Sequence, residues 1–170
     1  MKFHPALVLV AALLLGLAPV ASAQLAPDDP DWKESEAPPP PAFDFKKLLT
    51  FDAASGSSLV YGVDPASVSI SRNDSLVRYV LVATSSSGAR NVMYEAIHCA
   101  TGEFKTYARY SSDGQWNMVA RPEWRSMFDN MPSKHALRFA RAGACDAAAP
   151  VTSVAVLISR LKNPLFRITE

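Results

Sequence analysis

Hydrophobic and polar residues alternate in short runs through the middle of this chain, with the period of two that marks strands having one buried face. Residues 59–63 and 67–71 are two such runs, separated by the turn-forming pair Asp64-Pro65. In the second run Val68 and Ile70 alternate with Ser67, Ser69 and Ser71. Asn73-Asp74 marks a turn, and residues 76–84 follow with Val77, Tyr79, Leu81 and Ala83 on one face and Arg78 on the other. Ser85-Ser86-Ser87-Gly88 loops the chain into residues 90–99, and Thr101-Gly102 turns it into residues 103–110. Ser112-Asp113-Gly114 then leads into residues 115–119, and Asp-Gly between alternating segments is a strong hairpin signal. Tight turns of this kind predict an antiparallel meander of five or six strands, because parallel strands need long crossovers.

After residue 130 the period becomes helical. Residues 131–142 place Leu137, Phe139 and Ala140 toward a core, with Lys134, His135, Arg138 and Arg141 opposite. Asn130 or Ser133 is the expected N-cap, and Gly143 suits the end. Residues 151–162 carry Val154, Leu157, Ile158 and Leu161 at helical spacing and stop at Asn163-Pro164. Their β-branched residues leave a strand open as the alternative. A sheet must have a face covered, so the expected class is α+β, a meander packed against one or two C-terminal helices.

The ends change the picture. Lys2, the apolar stretch 6–20 and Ala21-Ser22-Ala23 have the layout of a secretory signal peptide, residues 1–23, with cleavage expected between Ala23 and Gln24. The stretch is shorter than the roughly 20 residues a spanning helix needs, so the mature protein is expected in the periplasm, or secreted, without stable membrane insertion. Residues 24–42 are acidic, contain Pro38-Pro39-Pro40-Pro41 and read as a disordered linker. Trp32 is the exception there, an aromatic expected to dock on the domain. The acids of this leader face a domain that is net positive, and composition favours a solvated tail over electrostatic docking. The domain itself is assigned to residues 43–163, with a C-terminal tail at 164–170.

Two cysteines, Cys99 and Cys145, follow export into an oxidising compartment and are expected to pair, tying sheet to helix. His98 beside Cys99 suggests a reactive thiol as the alternative, but neighbours on a strand point to opposite faces.

Candidate chemistry is sparse. His98 and His135 are far apart, no metal-ligand spacing occurs, and no cofactor or metal is expected. Glu95 and Glu103, on adjoining strands, are the conceivable carboxylate pair for hydrolysis. Tyr94, Tyr107, Arg109, Trp116, Trp124 and Arg125 are the candidate surface-recognition residues, since aromatics with Arg suit ligand faces. The same residues suit a core with a polar rim. Nearly balanced charge argues against a nucleic-acid partner, leaving an envelope component or protein.

The run 91–99, Tyr107-Ala108-Arg109, Gln115-Trp116, Glu123-Trp124 and Cys145 fall in an order that resembles the cryptic neisserial protein family. The resemblance covers roughly residues 31–161 and implies a small exported Gram-negative protein of no established activity. That family is described as periplasmic and as a lipoprotein, whereas this chain lacks a lipobox cysteine. In layout the chain is also similar to surface adhesin E-like proteins, in which a helix is tied by a disulfide to an antiparallel sheet. The resulting expectation is a non-enzymatic periplasmic binding or structural domain. The alternatives are a surface-displayed adhesin-like module and a hydrolase of unrecognised type.

Overall fold

The computed structural model describes residues 31–51 and 57–163; the signal segment 1–23 and the tail 164–170 lie outside them. The six alternating runs, with two short strands at 49–51 and 125–126 that the pattern does not mark, form one antiparallel sheet: β1 (Leu49–Phe51), β2 (Leu59–Val63), β3 (Ser69–Ile70), β4 (Leu76–Ser85), β5 (Arg90–His98), β6 (Glu103–Tyr110), β7 (Trp116–Met118) and β8 (Arg125–Ser126). The spatial order is β1-β2-β4-β5-β6-β7, with β3 on β4 and β8 on β6. The fold is therefore the expected α+β meander. Residues 67–71 contribute less strand than their pattern predicts, because Asp64 caps a short 3-10 turn over Pro65–Ser67. Ser67 is buried rather than wet, and its hydroxyl accepts from the Val80 N–H.

Both faces of the central strands are buried, which the single alternating pattern of β4 does not announce. Val77, Tyr79, Leu81, Met93 and Ile97 face the helices in one core. Leu76, Val80, Val82, Tyr94 and Ala96 face the other way in a second core. Arg78, expected on a wet face, belongs to that second side and is 3% exposed. It is paired with buried Asp74 at 2.6 Å.

The segment 31–48 covers this second face. Residues 31–42, expected to be disordered, lie along the sheet as a strap, and Trp32, Ala37, Phe43, Phe45 and Leu48 pack on the second core. Trp32 docks as anticipated: its indole stacks on His98 at 4.3 Å and donates to the Asp74 carbonyl at 2.9 Å. Glu34 pairs with Lys105 and accepts from Tyr107 Oη at 2.6 Å and Trp124 Nε1 at 3.2 Å. A polyproline segment cannot build a core of its own, but it can present side chains to a preformed apolar face.

On the opposite face the first helix, α1 (His135–Phe139), is shorter than predicted and runs into a five-residue π turn, Ala140–Ala144. Lys134 occupies the N-cap position without a side-chain cap. Phe139 and Ala140 enter the core as expected, Leu137 is half-buried, and His135 is buried instead of solvated. The strands β9 (Cys145–Asp146) and β10 (Ala149–Pro150) form a small ribbon before α2 (Val154–Lys162). Ser153 caps α2 through the Val156 N–H, which resolves that segment as helix, with Leu157 and Leu161 buried. Cys99 and Cys145 form a disulfide, Cα–Cα 5.7 Å, joining the end of β5 to the start of β9. No described helix is long and apolar enough to cross a membrane.

Gly143 ends the π turn at φ +133°, where a Cβ would lie 2.8 Å from Arg160 Cβ on α2. Gly143→Ala combines an unfavourable backbone conformation with this close approach, and is expected to cost about 1–3 kcal/mol. Urea denaturation checks this. An unchanged midpoint would mean that α2 yields without cost.

Candidate functional site

The helices cover only part of their face of the sheet. Beside them is an open groove of about 300 Å³, floored by β5 and β6 and flanked by β2, β8 and the segment entering α1. At its base lies Glu95, fully buried. Its Oε2 accepts from His135 Nε2 at 2.9 Å and Tyr79 Oη at 3.1 Å, and its Oε1 from Thr106 Oγ1 at 2.9 Å. Burial by itself raises the Glu95 pKa. The His135 ring and these hydrogen bonds outweigh that and hold the carboxyl below its usual range. Tyr79 is driven well above the ordinary phenol range by burial and by the adjacent carboxylate, so it remains a donor.

An ionised carboxylate only accepts, so His135 Nε2 carries the proton that binds Glu95. The other ring nitrogen, Nδ1, lies 2.8 Å from the Ser133 hydroxyl. Ser133 Oγ in turn meets Tyr61 Oη at 3.0 Å and the His135 backbone N–H at 3.3 Å. The chain Tyr61–Ser133–His135–Glu95 links β2, the loop before α1, and β5. It gives the entry of α1 a polar anchor inside the fold, and it places a serine, an imidazole and a carboxylate in a row.

The arrangement depends on a bulge. Glu95 pairs with Thr106 but Tyr94 with Ala108, so Tyr107 is an extra residue on β6. Alternation restarts beyond it. Phe104, Thr106 and Arg109 all line the groove, although simple alternation would send residue 109 to the other face.

The candidate recognition residues divide between the two faces. Tyr94 and Tyr107 are buried beneath the strap, and Trp116 and Trp124 are half-buried beside them. Arg109 and Arg125 are exposed and line the groove on the opposite side. The six therefore do not form one face. Glu95 and Glu103 do not form a pair either: Glu103 stands opposite His98 in register, and the groove lining includes only Glu95 of the two. His98 lies under Trp32, away from the bonded Cys99, which leaves no reactive thiol. Sequence spacing alone puts His135 on a solvated face and Ser133 at a cap. Only their union with Glu95 across forty residues gives them a site, and local spacing carries no signal of it. Among the described residues, no group of three or more His, Cys, Asp or Glu is arranged to hold a metal ion.

The fold and groove define a small disulfide-tied sheet domain with a strapped face and a grooved face. The chain belongs to the CNP1-like family, a family of unknown function whose model matches residues 27–162. No curated protein and no solved structure matches the chain significantly.

Proposed function

We propose that the mature chain is a non-enzymatic binding domain of the bacterial envelope, with the groove as its binding site. The observation that carries this reading is how the polar groups of the groove are used. Those at its base are engaged with one another, while the Arg109, Arg125 and Asn91 side chains at its rim make no hydrogen bond or ion pair among the described residues. A fixed floor beneath free polar groups holds a ligand. A volume of about 300 Å³ falls at the small end of ligand sites. The periplasmic location rests on the export signal in residues 1–23 and agrees with a bonded cysteine pair. A thermal-shift screen of envelope small molecules on the mature chain tests the reading. Stabilising ligands are expected, and Asn91→Trp, which fills the rim from an exposed position, is expected to abolish their effect. Absence of any such ligand, or shifts that persist in the variant, would overturn it.

A hydrolase is the second reading, favoured by Ser133 Oγ standing 2.8 Å from His135 Nδ1 with Glu95 behind the ring. Against it, Ser133 Oγ is also held by Tyr61 and by the His135 N–H, in the manner of a helix-entry residue. A fluorophosphonate probe separates the two: no labelling of Ser133 is expected. Labelling that disappears in Ser133→Ala would make the groove an active site.

A further inference from the structure

The rim of the groove is positive without a compensating acid. Arg109 and Arg125 are exposed and form no ion pair among the described residues. The one carboxylate in the lining, Glu95, is sealed in the floor with both oxygens bonded. Register separates the two arginines along the groove. Arg109 lies opposite Met93, whereas Arg125 lies opposite Phe104, at the far end of β6. At about 3.3 Å per residue, less the slack of the bulge, their backbones stand about 15 Å apart. Asn91, diagonal to Arg109 across the β5–β6 pair, adds an uncommitted amide at the first end. Between the registers of the two arginines lie Glu95 and Thr106, paired across β5 and β6 with their polar atoms bonded inside the floor, while Leu59, Met93, Phe104 and Met131 give the lining its apolar surface.

We infer that the groove takes an elongated organic dianion of the α,ω-dicarboxylate type. One carboxylate meets Arg109 and Asn91, the other meets Arg125, and the hydrocarbon middle crosses the internally bonded floor with Met93 and Phe104 as its apolar contacts. The inference rests on the binding reading given above and names the ligand class for that site. A guanidinium offers a planar fork that matches a carboxylate in bidentate fashion, so each end has a geometric as well as an electrostatic preference. A chain of about nine carbons, extended, spans the gap once both arginines lean inward. A cationic or doubly esterified ligand of the same length would leave the rim charges unanswered.

Isothermal titration of the mature chain with nonanedioate, nonanoate and dimethyl nonanedioate tests this. The dicarboxylate is expected to bind tightest, the monocarboxylate about tenfold more weakly, and the diester more weakly still. Arg109→Ala and Arg125→Ala should each weaken nonanedioate about tenfold while leaving nonanoate less affected in one of the two. Both residues are exposed, so the variants should fold, and an unchanged circular dichroism spectrum verifies it. Arg121→Ala, exposed and outside the groove, should bind as the wild type does. Equal binding of diester and diacid, equal binding of mono- and dicarboxylate, or unchanged affinity in both arginine variants would overturn the inference. If no acid binds while screened compounds still stabilise the protein in an Asn91→Trp-sensitive way, the dianion is wrong and the binding reading stands. If nothing binds at all, both fall.

Discussion

Removing the disulfide by Cys99→Ala with Cys145→Ala is expected to lower unfolding stability by about 4 kcal/mol in the chain-entropy model. The magnitude follows from the sequence separation of 46 that the bond closes. The position of the bond makes the loss consequential. It joins the end of β5, a central strand, to the segment that follows the π turn, so the reduced chain recovers the freedom of every residue between them. A small domain commonly has a net stability of about 5–15 kcal/mol, so the variant should lose much of its margin. Denaturant unfolding of oxidised wild type, reduced wild type and the double variant measures the effect. The two last should agree with each other. A loss below about 1 kcal/mol would show that packing of α1 and α2 holds the loop without the bond.

Asp74→Ala carries the second large effect. Asp74 is buried beside Arg78, accepts from Ser35 N at 3.1 Å and is also bonded by the Ser35 hydroxyl. Its loss would strand a guanidinium whose Nε already lacks a hydrogen-bond partner in the interior. Breaking a buried pair from one side costs about 3–5 kcal/mol, and the strap should loosen as its Ser35 anchor goes. Trp32 fluorescence reports that loosening, since the indole donates to the Asp74 carbonyl. An Asp74→Ala variant as stable as wild type, with unchanged emission, would remove the ion pair from the account.

The same pair makes the fold acid-sensitive, with a definite sign. Burial pushes the Asp74 pKa upward, but the bonds from Arg78 and Ser35 outweigh it and hold the carboxyl far below its ordinary value. Glu95 is lowered in the same sense. A depressed native pKa means the unfolded chain binds more protons on acidification. The stabilisation is therefore complete above the unfolded values, near 4, and is lost as pH falls through the native ones. Denaturation midpoints should hold steady from pH 7 to about 5 and then fall steeply. In Asp74→Asn the acid limb should be shallower; an identical limb would mean that other carboxylates govern it.

Much of the sheet was legible because its strands are joined by tight turns and at least one face of each alternates. The runs 59–63, 76–84, 90–99 and 103–110 lie within a residue or so of the observed strands. The disulfide partners were legible because the chain has only two cysteines. The groove was not. Arg109 reaches it only because Tyr107 is inserted as a bulge, and bulges follow from how two strands settle against each other. Helical spacing over 131–142 puts His135 on a solvated face, whereas the helix that starts at His135 turns the ring inward. By composition the strap is a solvated tail, because acids and prolines bury little by themselves; only the apolar second face gives it a place to dock.

The class of fold, the pairing of successive strands from β4 to β7 and the cysteine pair were determined by sequence, since each depends on local periodicity, a tight turn or a count that leaves one choice. The tertiary structure decided that both faces of the sheet are buried, that an acidic, proline-rich segment supplies the second cover, and that Glu95, His135 and Ser133 meet. Those outcomes depend on contacts between residues far apart in the chain, and the worth of a buried charge or a docked indole is set by the partner it finds there.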